Sequence, residues 1–228
     1  MQRNALYETA YLLVKAYARL LLRMDIRFHE GLPPGPKLFI ANHPSATDPI
    51  LIHLLSRMSV MITANAFAFP LVGSFLRGID QISVAPGGDA LERAIEALRR
   101  GHCVGIFPEG TFSPQGGGFG QPRTGAARLA LAAGVPVVPV GIYLPRERSL
   151  RITSRLIGRQ TTGYWYLRGP YAFTVGKPMR FEGDPENREH VRSVTGTMME
   201  WIQALALESE MRVRSGVPAA SPGVLPAA

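Results

Sequence analysis

The sequence predicts an α/β domain: a mixed, mostly parallel central sheet flanked by helices, with an amphipathic helix at its N-terminal end. Three observations carry this. Short apolar runs alternate with segments of helical period along the 228 residues, the order that builds strand–helix–strand units. The clearest apolar run, Lys37-Leu38-Phe39-Ile40-Ala41, stops at a corner, Asn42-His43-Pro44-Ser45, and a second apolar stretch starts at Pro49. Apolar residues make up 46% of the chain, enough for a core of this size. The length suits one good-sized domain, and no internal repeat is present.

In chain order, residues 1–28 have helical period. Leu6, Leu13, Tyr17, Leu20, Leu21 and Met24 fall on a broad apolar face, while Lys15, Arg19, Arg23 and Arg27 recur at every fourth position. Such a helix reads as lying in a membrane interface or as an ordinary surface helix packed on the domain. Its large apolar residues exceed what one packing stripe needs, which favours the interface. With Glu8, Lys15, Arg19, Arg23 and Asp25 it is too charged to span a bilayer. A Lys or Arg near the centre of a spanning helix costs about 2.5–3.5 kcal/mol. It also lacks the uncharged core and cleavage site of a signal peptide.

A Pro/Gly linker over residues 30–37 leads into the first strand and the His43 corner. Residues 58–63 predict a second strand and residues 80–84 a third, with an interrupted helical stretch between them around Pro70 and Gly73. Residues 87–101 predict a helix capped by Asp89 with Glu92 three positions on, facing Leu91, Ile95 and Leu98 inward and stopping at Gly101. A strand at residues 102–107 is followed by Pro108-Glu109-Gly110-Thr111, then a glycine-rich loop expected to be mobile. A helix over residues 124–134 ends at Gly134. The next strand, Val-Pro-Val-Val-Pro-Val, is expected at an edge or a strand end because of its two prolines. A further strand spans residues 171–179. A last helix over residues 191–207 carries Val191, Val194, Met198, Trp201 and Leu205, and residues 208–228 are expected to be a disordered tail.

The formal charge of +8 points to an anionic partner: nucleic acid, an anionic bilayer or a phosphate-bearing substrate. Over residues 146–180 there are seven Arg and one Lys against one acid, Glu147, beside Tyr164, Trp165, Tyr166, Tyr171 and Phe173. That composition suits a membrane–water interface, single-stranded nucleic acid or a plain solvated surface. The one cysteine, Cys103, rules out an internal disulfide and reads as a small core residue, consistent with a reducing compartment.

His43 and Asp48 sit at a strand-to-helix corner, where α/β proteins place chemistry. Imidazole takes a proton near neutral pH, and a carboxylate on its second nitrogen fixes its orientation. Five residues apart, the pair meets only across a tight turn. Otherwise Asp48 merely caps the helix and His43 bonds to backbone. Corners after the strands of such a sheet gather on one side, which places Glu109-Gly110-Thr111 on the same face; there Glu109 reads as a buried or half-buried carboxylate of the site or as a turn residue tied to a backbone amide. No Gly-x-Ser-x-Gly elbow is present and Cys103 lies inside a strand, so a base here would activate a hydroxyl or amine of the substrate. A facial metal set from His43, Asp48 and Glu109 lacks supporting ligands and is set aside.

Three blocks, Asn-His-Pro-Ser-Ala-Thr-Asp from Asn42, Phe-Pro-Glu-Gly-Thr from Phe107 and the Val-Pro block of residues 135–140, occur in order. Together they resemble the glycerophosphate and lysophospholipid acyltransferase superfamily, over roughly residues 31–179. The resemblance implies an amphipathic or hydrophobic N-terminal helix, so the expected organisation is that helix (residues 1–30), an acyltransferase domain (31–207) and the compositional tail (208–228). It implies His43 as general base and Asp48 as its orienting carboxylate. Glu109, Gly110 and Thr111 would bind the acceptor headgroup, and residues 135–140 would support the site floor and acyl path. The acyl donor would be acyl-CoA or acyl-carrier protein, with no other cofactor and no metal.

Two departures stand out. Phe112 replaces a basic position after the Phe-Pro-Glu-Gly-Thr block. The family's second block ends in an Arg thought to bind the acceptor phosphate, where this chain has Ala85-Pro86. Arg77 or Arg123 is the expected substitute, since a guanidinium forks onto phosphate. The expected activity is acylation of a lysophospholipid hydroxyl, lysophosphatidic acid first, with an aminolipid acceptor or a non-catalytic lipid-binding protein as alternatives. The expected partner surface is an anionic membrane, not nucleic acid. The expected location is peripheral or monotopic at the cytoplasmic face.

Overall fold

The computed structural model describes residues 5–154 and 160–216. The elements are helix α1 (Ala5–Leu20), strands β1 (Asp25–Phe28) and β2 (Leu38–Ala41), the short helix α2 (Asp48–Leu51), β3 (Met58–Thr63), α3 (Ala64–Phe67), α4 (Pro70–Gly78), β4 (Ile82–Val84), α5 (Ala90–Arg99) and β5 (Cys103–Ile106). They continue with α6 (Gly125–Ala133), β6 (Val137–Tyr143), β7 (Leu150–Ser154), β8 (Thr161–Trp165), β9 (Ala172–Val175) and α7 (Arg188–Arg214). Seven strands form one sheet in the order β1-β9-β6-β2-β5-β3-β4, parallel throughout except for the antiparallel β6–β9 pair. β7 and β8 pair separately as an antiparallel hairpin.

The sheet is covered on both faces, so its central strands are apolar at every position. In β2, Phe39 and Ala41 face one core with Leu22, Leu51, Ile52, Tyr166 and Tyr171. Leu38 and Ile40 face the other, with Leu98, Ala127, Met198 and Ile202 from α5, α6 and α7. Helix α7 lies so close to β6 that a side chain on Gly141 would collide with the helix backbone at Leu205 and Ala206. Asn187 caps α7 by accepting from the N–H groups of Glu189 and His190, a contact worth about 1 kcal/mol.

Several expectations are corrected. The N-terminal helix ends at Leu20, and Asp25–Phe28 is a strand that joins the main sheet beside β9. The four-residue recurrence of basic residues runs on across a chain reversal at Arg23, which periodicity does not register. Residues 1–30 are therefore not a unit apart from the domain.

Of the two readings of the prolines, the edge is corrected, because β6 is interior, while Pro136 does mark a strand end, directly before Val137. The Pro139 carbonyl accepts from Gly176 just beyond the end of the β6–β9 pairing, so its missing N–H falls where that ladder has only begun. Trp201 is 40% exposed, and Ile202 takes the core position. The Asp89 side chain makes no cap bond to α5, and Ala90, Ala94 and Leu98 are that helix's buried residues.

The last helix continues past Leu207 to Arg214. Ser209 is buried against Thr174 and Gly141, and Arg212 pairs with Asp25, so this turn has partners that composition does not reveal. Residues 217–228 of the expected tail lie outside the described residues. The β7–β8 hairpin was not expected from the sequence.

Candidate active site

The C-terminal ends of β2, β5, β3 and β4 open into one cleft of about 580 Å³. Its walls include His43 after β2, Thr63 at the end of β3, Val84 to Pro86 after β4, and Phe107 to Pro108, Gly110, Thr111 and Phe112 after β5. Carbonyl ends of neighbouring parallel strands gather loops in this way, so residues distant in sequence meet here.

The first loop is held from both sides. Asn42 is fully buried and exchanges two hydrogen bonds with Ile142 of β6, at 2.9 and 2.7 Å, which pins the end of β2. The turn at Pro44 and Ser45 then brings Asp48 back onto His43. Asp48 Oδ2 lies 2.8 Å from His43 Nδ1 and accepts from the Ser45 N–H at 2.8 Å. The Tyr171 hydroxyl donates to Oδ1. Asp48 is fully buried, so these donors stand in for the water it has lost. Burial first, and the Asp48 charge second, push the Tyr171 hydroxyl well above its ordinary range, so it remains a donor.

A carboxylate can only accept, which makes Nδ1 the protonated nitrogen and leaves Nε2 for a substrate. The ring stacks on Phe107 at 4.3 Å and packs against Phe112 at 4.6 Å. Phe112, the departure from the basic residue, is thus one wall of the imidazole's slot.

The second loop uses its acid differently. Glu109 is 2% exposed. Its Oε1 accepts from the His43 backbone N–H at 3.1 Å and from the Ser113 hydroxyl, and its Oε2 accepts from the Gly120 N–H. Ser113 N–H donates to the His43 carbonyl at 2.8 Å. The expected headgroup role for Glu109 is therefore corrected: both oxygens tie the two loops together, and the residue does not line the cleft. Gly110 and Thr111 do line it. Gly110 has a φ of +62°, and a Cβ there would press on the Arg123 side chain.

The two candidate cations separate. Arg123 lines the cleft, whereas Arg77 lies outside it and donates to the Phe67 carbonyl at 3.3 Å. Residues 135–140, expected to support the site floor and the acyl path, do not themselves line the cleft. Val137, Val138 and Val140 are core residues, and the cleft's apolar walls are Pro49, Met61, Ile62, Val84 and Ile106. The glycine-rich loop is tied down: the Arg146 guanidinium donates to the carbonyls of Pro114 and Gly118, and Gln115 donates to that of Pro44 at 3.2 Å. Among the described residues no group of three or more His, Cys, Asp or Glu is placed to hold a metal ion.

Sequence reasoning missed Tyr171, Ser113 and Arg146. Tyr171 and Arg146 carried only the signal of lying in the Arg- and aromatic-rich stretch, and Ser113 that of closing the Phe-Pro-Glu-Gly-Thr corner.

A buried carboxylate that orients a histidine at the mouth of a mostly parallel sheet is the arrangement of a general base, and comparison with known proteins gives the family. The model of the Acyltransferase family matches residues 23–143, more than half of the chain, and the chain belongs to that family. The Lyso-ornithine lipid O-acyltransferase of Pseudomonas aeruginosa is 35% identical over 133 residues, covering 55% of this chain and 50% of that protein. The chloroplastic 1-acyl-sn-glycerol-3-phosphate acyltransferase of Brassica napus is 32% identical over 126 residues, covering 52% and 36%. A 1-acyl-sn-glycerol-3-phosphate acyltransferase of Pseudomonas aeruginosa is 27% identical over 174 residues, covering 72% and 62%. The aligned part thus spans half or less of the first two relatives. The crystal structure of the 1-acyl-sn-glycerophosphate (LPA) acyltransferase PlsC from Thermotoga maritima superposes with a TM-score of 0.61 at 24% identity, covering 90% of this chain and 83% of that one, and shows the same fold.

Proposed function

We propose that this protein transfers a fatty acyl group from an acyl thioester, acyl-CoA or acyl-carrier protein, to the hydroxyl of a lysophospholipid, with lysophosphatidic acid as the leading acceptor. The carrying observation is the His43 imidazole, fixed through Nδ1 by buried Asp48, in a cleft whose described lining residues include neither Ser nor Cys. In this reading His43 Nε2 takes the proton of the acceptor hydroxyl as its oxygen attacks the thioester carbonyl. The tetrahedral intermediate then expels the thiolate, which takes the proton back from the imidazolium, so no acyl-enzyme forms. Asp48 holds the ring and balances its transient charge. Neither a metal nor a resident cofactor has a step to perform.

Arg123 and the Gly110–Thr111 turn are the headgroup contacts left once Glu109 and Arg77 are assigned elsewhere. The acyl chain runs along Met61, Ile62 and Ile106. It continues past Pro49 and Ile62, which also border a smaller apolar pocket lined by Tyr11, Val14, Phe75, Leu76 and Ile79.

The acceptor is drawn from a membrane. Helix α1 packs inward through Tyr7, Tyr11, Val14 and Ala18 yet exposes Leu12 and Leu13 at 64% and 67%, a second apolar side that suits an interfacial helix. Among the described residues no helix is long and apolar enough to cross a membrane. The exposed apolar side of α1 supports peripheral attachment to a membrane surface.

One observation favours a second acceptor. The cleft wall at Ala85 and Pro86 is uncharged, leaving one guanidinium where a phosphate dianion is best served by more. An aminolipid acceptor fits that sparser charge, as the name of the Pseudomonas aeruginosa relative suggests.

Thiol release from long-chain acyl-CoA over a panel of lysolipids, with wild type and His43→Ala, tests the reading. Acceptor-dependent release that falls by roughly 10²–10⁴-fold in the variant is expected. Full activity in a folded His43→Ala protein sinks the mechanism.

A further inference from the structure

We propose that the β7–β8 hairpin, together with Leu167 and Arg168, is a docking surface for an anionic lipid bilayer and holds the catalytic corner against it. This rests on the reading that the acceptor lies in a membrane, and it adds the second contact. Leu150 and Ile152 are 53% and 49% exposed, and Leu167 is 44% exposed. Residues two apart on a strand share a face, so Leu150 and Ile152 form an apolar ridge where a solvated hairpin would carry polar side chains. Trp165 sits directly across from Leu150 on that face, Arg148 and Arg168 are exposed at the ends of the two strands, and Arg151 is exposed on the opposite face. Glu147 is the one acid of residues 146–180.

Aliphatic side chains among Arg and Trp match the boundary between acyl chains and anionic headgroups. They match a nucleic acid less well, because bases need free aromatic faces to stack on. Here Tyr164 packs edge-on against Phe112, and Tyr166 is buried against Tyr171.

The surface is joined to the chemistry by short bonds. The Tyr164 carbonyl of β8 accepts from the Ala46 N–H at 2.7 Å and from the Ser45 hydroxyl at 3.1 Å, between His43 and Asp48. The Tyr166 N–H donates to Ser45 Oγ at 3.1 Å. The next residues reach α1: the Tyr17 hydroxyl donates to the carbonyls of Tyr166 and Leu167, and the Gly169 N–H donates to that of Leu21 at 3.0 Å. A bilayer that seats the hairpin therefore also bears, through these bonds, on the His43 corner and on the C-terminal end of α1.

The test is co-sedimentation of the full chain with vesicles of phosphatidylcholine alone or mixed equally with phosphatidylglycerol. It compares wild type, Leu150→Ser with Ile152→Ser, and the α1 double variant Leu12→Ser with Leu13→Ser. The hairpin variant should bind the mixed vesicles at least about tenfold more weakly, since it replaces two half-exposed aliphatic side chains by polar ones on the face that enters the bilayer. It should lose turnover on a vesicle-borne lysolipid by a similar factor and keep wild-type turnover on a short-chain lysolipid dispersed as monomers.

Undiminished vesicle binding by a folded hairpin variant, with binding lost in the α1 variant, overturns the hairpin alone. No vesicle binding by wild type overturns the membrane reading with it, and equal binding to both vesicle types overturns the anionic component. Capture of wild type but not the hairpin variant by a single-stranded oligonucleotide assigns the surface to nucleic acid and overturns the proposal. If the double variant does not fold, Ile152→Thr keeps the strand and should still weaken vesicle binding several-fold.

Discussion

Two loops of this molecule place a buried carboxylate at the end of an interior parallel strand and put it to opposite uses. After β2, Asp48 accepts from a side chain that can react, His43. After β5, Glu109 accepts from two backbone N–H groups and the Ser113 hydroxyl. Burial is the same, at 0% and 2% exposure. What differs is the partner, and the partner decides whether a buried acid serves the reaction or the loop. A motif that contains both acids does not distinguish them. The hydrogen bonds do.

The sharpest way to break this contrast is to make each acid an amide. Asp48→Asn should lower kcat by roughly 10²–10⁴-fold, the range for a disabled general base, because an amide cannot take a proton's charge from the ring. It also turns an N–H₂ group toward donors that need an acceptor, costing about 1–3 kcal/mol. Glu109→Gln leaves the same kind of mismatch at the Gly120 or His43 N–H and should cost a similar 1–3 kcal/mol. At about 2–4 °C per kcal/mol for a chain of this size, both variants melt several degrees lower. Only the first should lose activity far beyond its loss of stability. Equal ratios of rate loss to melting shift in the two variants would erase the distinction.

Arg123 and Arg77 offer a second, smaller contrast. Arg123→Ala should raise KM for an anionic acceptor about tenfold, the worth of one charge-assisted contact, with kcat little changed. Arg77→Ala should leave both constants near wild type. Steady-state titration of the acceptor separates them, and a KM that follows Arg77 instead would move the headgroup to the other side of α4.

Much of this was legible in the sequence, for identifiable reasons. β2 and β3 are apolar runs with clear stops, and α5 and α6 have strong period and glycine ends, so local signals sufficed. The corner pair His43–Asp48 was legible as a possibility and became a pair only through the turn at Pro44 and Ser45. What escaped depends on contacts distant in sequence. β1 is a strand because β9 lies beside it. Pro139 is tolerated in an interior strand because the β6–β9 ladder starts there. The turn at Ser209 is helical because Thr174 and Gly141 receive it. For Glu109 the sequence left the site and the turn readings open, since no spacing says which way a carboxylate turns.

Tyr171 is the clearest case of a residue outside every motif reaching the site, and its removal refines the contrast between the two acids. Its folded-state value is raised above the ordinary value of 10. The stability it contributes is therefore fully present below about pH 10 and is lost only as the pH rises further. Across the working range it is a fixed neutral donor. Tyr171→Phe takes one donor from Asp48 while leaving the His43 contact and the Ser45 N–H in place. The carboxylate then holds less well as a shared anion, and the His43–Asp48 pair binds a proton more tightly. The acid limb of the kcat/KM profile should move to higher pH, with a few-fold loss at neutral pH. A merely structural tyrosine would lower the melting temperature and leave the limb where it was. The same profile measured on Glu109→Gln should not move, because that acid touches the histidine only at its backbone. A shift there as large as in Tyr171→Phe would show that the two carboxylates act on the imidazole together, and the division of labour between the corners would have to be given up.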